Sequence, residues 1–130
     1  MNNRTKSFFR FRDFPVYIKA REFRKKWRII IKDKFPKDEK FKLGGQFDRA
    51  LDSVMLNIAE GSERYSDKDF SRFLNNSIGS AAECVSCIDC SFDDGYISKD
   101  EREQGLEEAE EIVRQPKAFS SKVRREDNKK

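Results

Sequence analysis

The stretch QFDRALDSVMLNIAEGSER, Gln46 to Arg64, carries two stripes at helical spacing. Phe47, Ala50, Leu51, Val54 and Ile58 recur at steps of three and four, the core face of an amphipathic helix. Beside them run Gln46, Arg49, Ser53, Asn57, Glu60 and Arg64 on one flank. Such an ordered polar ladder suggests groups that meet others within the fold or at a subunit contact. Gly61 stands where a left-handed residue would close the helix.

The same periodicity recurs on either side. Phe14-Pro15 sets up a helix start, and Ala20, Phe23, Trp27, Ile30 and Ile31 form one face from Val16 to about Asp33. Arg21, Arg24, Lys25, Arg28 and Lys32 gather on the other face. Phe35-Pro36 breaks this helix. The second runs from about residue 36 to Glu60, interrupted at Gly44-Gly45, where a close crossing or a kink is expected. Ser66 and Asp69 resemble a capping box for a third helix, with Phe70, Phe73, Leu74, Ile78, Ala81, Ala82, Val85, Ile88 and Phe92 inward. Ser98 and Glu101 form a fuller box for a fourth, with Leu106, Ala109, Ile112, Val113 and Phe119 inward. Pro116 is expected to end or kink it.

Four helices with short connections predict an all-α, up-down-up-down antiparallel four-helix bundle. Residues 1–13 read as a loose basic arm, 14–121 as the bundle and 122–130 as a flexible basic tail. In the hairpin of the second and third helices, positions summing to about 127 should lie side by side. That sets Glu83 near Arg49 and Gln46, and Glu60 near the start of the third helix.

Composition narrows the functional classes. The chain has 130 residues, 36% hydrophobic and 40% charged, enough for one domain with a real core. No apolar run approaches a membrane span, and the basic N-terminus lacks the apolar region of a secretory signal, so a cytoplasmic protein with no membrane contact is expected. There is no histidine. The commonest general base and metal ligand is therefore missing. The net charge of +4 conceals segregation: residues 1–34 carry 12 basic and 3 acidic side chains, and residues 93–111 carry 2 and 9. Such blocks steer polyanions or pair with each other. Cys84, Cys87 and Cys90 suggest part of an iron–sulfur run, yet steps of three turn the thiols around a helix and no fourth cysteine exists. Core packing is the better reading, with no metal or cofactor.

Phe35-Pro36 with Glu39, Phe41 and Leu43, then Gln46, Arg49-Ala50, Ser53 and Asn57-Ile58-Ala59-Glu60-Gly61, resembles the four-helix-bundle S23 family, the 23S rRNA-intervening-sequence proteins. Phe70, Phe73-Leu74, Gly79-Ser80, Glu83 and Gly95-Tyr96 extend the likeness, which covers about Phe14 to Val113. The resemblance implies a ring-like homopentamer. It further implies a likeness in fold to the accessory variability protein of diversity-generating retroelements, a basic pentamer that binds nucleic acid and a reverse transcriptase. Gly44-Gly45, Pro116 and the short basic tail depart from the family's usual pattern.

These observations lead to a non-enzymatic, self-associating bundle that binds RNA or DNA through Arg21, Arg24, Lys25, Arg28 and Lys32. Gln46, Arg49, Asn57, Glu60 and Glu83 are expected to form a structural polar network, with Glu83 opposite Arg49. The alternative is an adaptor whose ring docks a partner protein, such as a polymerase or reverse transcriptase, without touching nucleic acid.

Overall fold

A computed structural model describes residues 7–129 and shows four helices: α1 (Pro15–Lys34), α2 (Leu43–Ser62), α3 (Asp67–Asp93) and α4 (Lys99–Asn128). Packing joins α1 to α2 and α4, and α3 to α2 and α4, so the helices follow the corners of a square in chain order. This is the expected up-down-up-down antiparallel bundle. Local signals fix its ends. Pro15 occupies the first turn of α1, and the Asp69 N–H donates to Ser66 Oγ at 3.1 Å to start α3. At α4 the capping box is reciprocal: Glu101 N–H donates to Ser98 Oγ at 3.1 Å, and Ser98 N–H to Glu101 Oε1 at 2.8 Å.

Trp27 fills the centre, its ring 5.3 Å from that of Phe47. All five residues of the α2 apolar stripe are buried. Gly105 makes the room: a Cβ there would sit 2.6 Å from Trp27 Cζ2 and 3.0 Å from Ile88 Cδ1.

The inward face of α3 is rotated from that expected, whereas on α4 Ala109 and Ile112 are buried and Leu106, Val113 and Phe119 pack against the core as expected. Leu74, Ala81 and Ile88 are buried, but so are Ser71, Ser77, Cys84, Cys87 and Ser91, while Ala82 is exposed. Small residues let the helices approach, and each buried serine finds an acceptor or partner. Ser77 Oγ donates to the Val54 carbonyl at 2.8 Å, Ser91 Oγ to the Cys87 carbonyl at 2.7 Å, and Ser71 meets Ser120 at 3.1 Å. The larger side chains Ile78, Val85, Leu106 and Val113 are half-buried on the flank.

Four further expectations are corrected. Gly61 lies inside α2 with no positive φ; a Cβ there would sit 2.7 Å from Phe73 Cβ, so close approach of α3 demands the glycine. The break in the second helical stretch falls at Lys42, between a 3-10 turn at Glu39–Phe41 and α2, so Gly44 and Gly45 belong to the first turn of α2. Helix α4 continues through buried Pro116 to Asn128, so the polar segment from Lys122 extends the helix, and Lys68 pairs there with Asp127 at 3.6 Å. Of the basic arm, residues 1–6 lie outside the described residues. The rest is docked: Arg10 Nη2 donates to the Ser62 carbonyl at 2.8 Å, and the Phe11 and Tyr17 rings meet at 4.9 Å.

Candidate nucleic-acid interface

Helix α1 buries Ala20, Phe23, Trp27 and Ile31, which leaves its cations on the flanks and the outer surface. Toward α4, Lys19 pairs with Glu111 at 3.5 Å, Lys26 with Glu108 at 3.0 Å and Lys34 with Glu101 at 2.7 Å. Toward α2, Arg24 Nε lies 2.6 Å from Asp52 Oδ1 and Arg28 Nε 3.0 Å from Asp48 Oδ1. The second contact is an ion pair without hydrogen-bond alignment, so Asp48 Oδ1 is buried with no hydrogen bond.

The five cations singled out in the sequence are thus not equivalent. Arg24 is half-buried and engaged; Arg28 is engaged but exposed. Arg21, Lys25 and Lys32 are exposed and have no carboxylate at ion-pair distance among the described residues. Arg21, Lys25, Arg28 and Lys32 follow steps of four, three and four, one stripe about 16 Å long at 1.5 Å per residue. Sequence reasoning missed Asp48 and Asp52. Their signal was available: Arg24 with Asp52 and Arg28 with Asp48 both sum to 76, the register of an antiparallel hairpin.

The α2 ladder forms a network only in part. Asn57 Nδ2 donates to the Ser53 carbonyl at 2.9 Å and to Ser53 Oγ at 3.1 Å, and Ser80 Oγ donates to Ser53 Oγ at 2.7 Å. Glu60 pairs with Arg64 at 2.8 Å, four residues on and just past the end of α2, rather than with the start of α3. Gln46, Arg49 and Glu83 are exposed, and no hydrogen bond or ion pair joins Arg49 to Glu83. Ser53 with Ser80 and Val54 with Ser77 sum to 133 and 131 instead of 127. That register brings Arg49 and Glu83 level. The Arg49 guanidinium instead lies back along α2, with Nη1 3.7 Å from where a Gly45 Cβ would stand.

Cys84 and Cys87 are buried, Cys90 is exposed, and all three are free. Burial, with the neighbouring Cys87 and Glu83 adding to it, pushes the Cys84 thiol up to about 12; burial and Glu83 push Cys87 up to about 11. These two thiols stay protonated and pack as small apolar groups. No group of three or more acidic or cysteine side chains is placed to hold a metal among the described residues. No helix among them is long and apolar enough to cross a membrane.

On the side away from α1, the α3–α4 seam forms an apolar groove of about 400 Å³ lined by Ile78, Ala82, Val85, Leu106 and Val113, with Glu110 and Lys117 beside it. Fold and surface together define a highly charged, antiparallel four-helix bundle with a basic ridge on one side and an apolar groove on the other. The chain belongs to the family of 23S rRNA-intervening sequence proteins, which it matches over residues 12–118. That match covers all of α1, α2 and α3 and most of α4. No curated protein matches the chain.

Proposed function

We propose that this protein is a non-enzymatic, self-associating bundle that holds RNA or DNA by the phosphate backbone. The observation that carries the reading is the ridge of Arg21, Lys25, Arg28 and Lys32. Three of its four cations lack carboxylate partners among the described residues, although the bundle neutralises Lys19, Arg24, Lys26 and Lys34 on the same helix. An ordered row of free cations attracts a polyanion, and each neutralised phosphate releases bound counterions. Such contacts position a nucleic acid without reading its bases.

Self-association as a homopentamer would multiply the ridge by symmetry. The α3–α4 groove supports it: it is apolar, half-exposed and away from the ridge, so a second copy there leaves α1 open. The acids of the ladder support a non-catalytic role. Glu60 and Glu83 are exposed, and neither offers a buried acid or base.

Reversing Arg21, Lys25 and Lys32 together to glutamate tests the ridge. Affinity for mixed-sequence RNA and DNA in low salt should fall by more than about 100-fold, with helical content unchanged. Undiminished binding contradicts the reading. A protein partner retained in high salt, with no nucleic acid bound in low salt, favours the adaptor instead.

A further inference from the structure

The seam between the C-terminal half of α1 and the first turn of α2 opens into a cleft of about 420 Å³. Arg28, Lys32 and Lys40 line it, against the single carboxylate of Asp48. They come from two different elements: Arg28 and Lys32 from α1, Lys40 from the 3-10 turn before α2. Arg28 is held by Asp48, whereas Lys32 and Lys40 have no ion pair among the described residues. The cleft therefore concentrates positive charge in a concave site rather than along a flat helix face.

Its remaining lining is Ile29 and Ile31 of α1 and the backbone of Gly44 and Gly45. The first bond into α2 runs from the Gln46 N–H to the Lys42 carbonyl at 3.0 Å, and no side chain caps this turn. The N–H groups of Leu43, Gly44 and Gly45 precede that bond and have no acceptor within the helix. The two glycines on this wall differ. Gly44 is required by packing, because a Cβ would sit 3.0 Å from Ile31 Cγ2 and 3.2 Å from the Glu39 carbonyl oxygen. Gly45 is not: its nearest neighbours, Arg49 Nη1 and the Lys40 carbonyl oxygen, would both be 3.7 Å away. Glycine weakens a helix, and here it leaves the backbone uncovered on the wall of a cationic cleft.

We propose that this cleft seats a phosphate group, held by Arg28, Lys32 and Lys40 and received by the first-turn amides of α2. A tetrahedral oxyanion suits donors converging from several directions, and a helix start favours negative charge. The proposal rests on the reading of α1 as a nucleic-acid face, since Arg28 and Lys32 belong to both ridge and cleft. The group is then a backbone phosphate of the bound strand. Free phosphate is the other source of the same chemistry.

The test follows amide resonances of the full chain in low salt, titrated separately with a short mixed-sequence oligonucleotide and with inorganic phosphate. The Gly44 and Gly45 signals should shift saturably with the oligonucleotide. Lys40→Gln should weaken oligonucleotide binding about fivefold, while Lys37→Gln, which removes an exposed charge from the same connection, should have little effect. Saturable shifts with inorganic phosphate alone keep the cleft as an anion site and overturn its assignment to a strand. Oligonucleotide binding that leaves both glycines unmoved, with Lys40→Gln no worse than Lys37→Gln, overturns the cleft but leaves the ridge standing. No shift with either probe overturns the cleft outright.

Discussion

One methyl group at Gly105 and one at Gly79 should act in opposite directions. Both glycines lie within helices, where alanine is favoured by about 1 kcal/mol. At Gly79 nothing lies within 4 Å of the added Cβ, so the propensity gain stands and Gly79→Ala stabilises the bundle by roughly 0.5–1 kcal/mol. At Gly105 the new atom would lie 2.6 Å from the Trp27 ring, which is wholly buried and cannot swing aside. Overpacking costs about 1–3 kcal/mol, so Gly105→Ala should be destabilising overall. Urea unfolding of the two variants checks both signs; two shifts in the same direction would refute the packing account. At this scale α2 was legible because its apolar stripe is also its buried stripe. Gly61 was not. Its residue type fits a helix cap as well as a close crossing, and only the position of Phe73 decides between them.

Among the helices, α1 is bound on both flanks by ion pairs, three to α4 and two to α2. Most are partly exposed, so each contributes modestly. Glu101 is the best placed. Burial alone would raise its carboxyl pKa, but the Lys34 ammonium at 2.7 Å and the Ser98 N–H outweigh that and hold it below the usual range. A depressed carboxylate stabilises the fold above its unfolded value, and that stability is lost as pH falls through the folded value. Glu101→Gln keeps the capping geometry and removes the charge. Wild type should therefore be the more stable at pH 7, and the gap should narrow as the pH drops below about 4. Urea midpoints at several pH values measure it; a gap that persists undiminished in acid contradicts the role given to the charge. The capping boxes of α3 and α4 were readable because side chain and backbone lie within one turn. The continuation of α4 past Pro116 was not, since it depends on burial of the proline ring against the bundle. The inward row of α3 was misjudged for a related reason. Hydrophobicity ranks Phe73 above Ser77, yet the tight seam with α2 buries the smaller residue and satisfies its hydroxyl.

At the scale of the whole molecule, the basic ridge and the apolar groove lie on different sides, which separates two kinds of contact. Val85 lines the groove and is only half-buried, so Val85→Glu should disturb association more than folding. Light scattering should give a mass near five times the 15.3 kDa chain for the wild type and a smaller one for the variant, with unchanged helicity. An assembly untouched by the substitution would place the contact elsewhere. The bundle itself was legible from periodicity and turn residues. The working surface was only partly so: sequence located the basic helix, but not which of its cations the neighbouring helices neutralise. The central claim is that free cations on α1 bind a phosphate backbone. Its most direct test is the salt dependence of wild-type binding to mixed-sequence RNA and DNA. Log affinity should fall linearly with log salt, with a slope steeper than about −2 for three or more phosphates. No binding in low salt, or binding indifferent to salt, would contradict it.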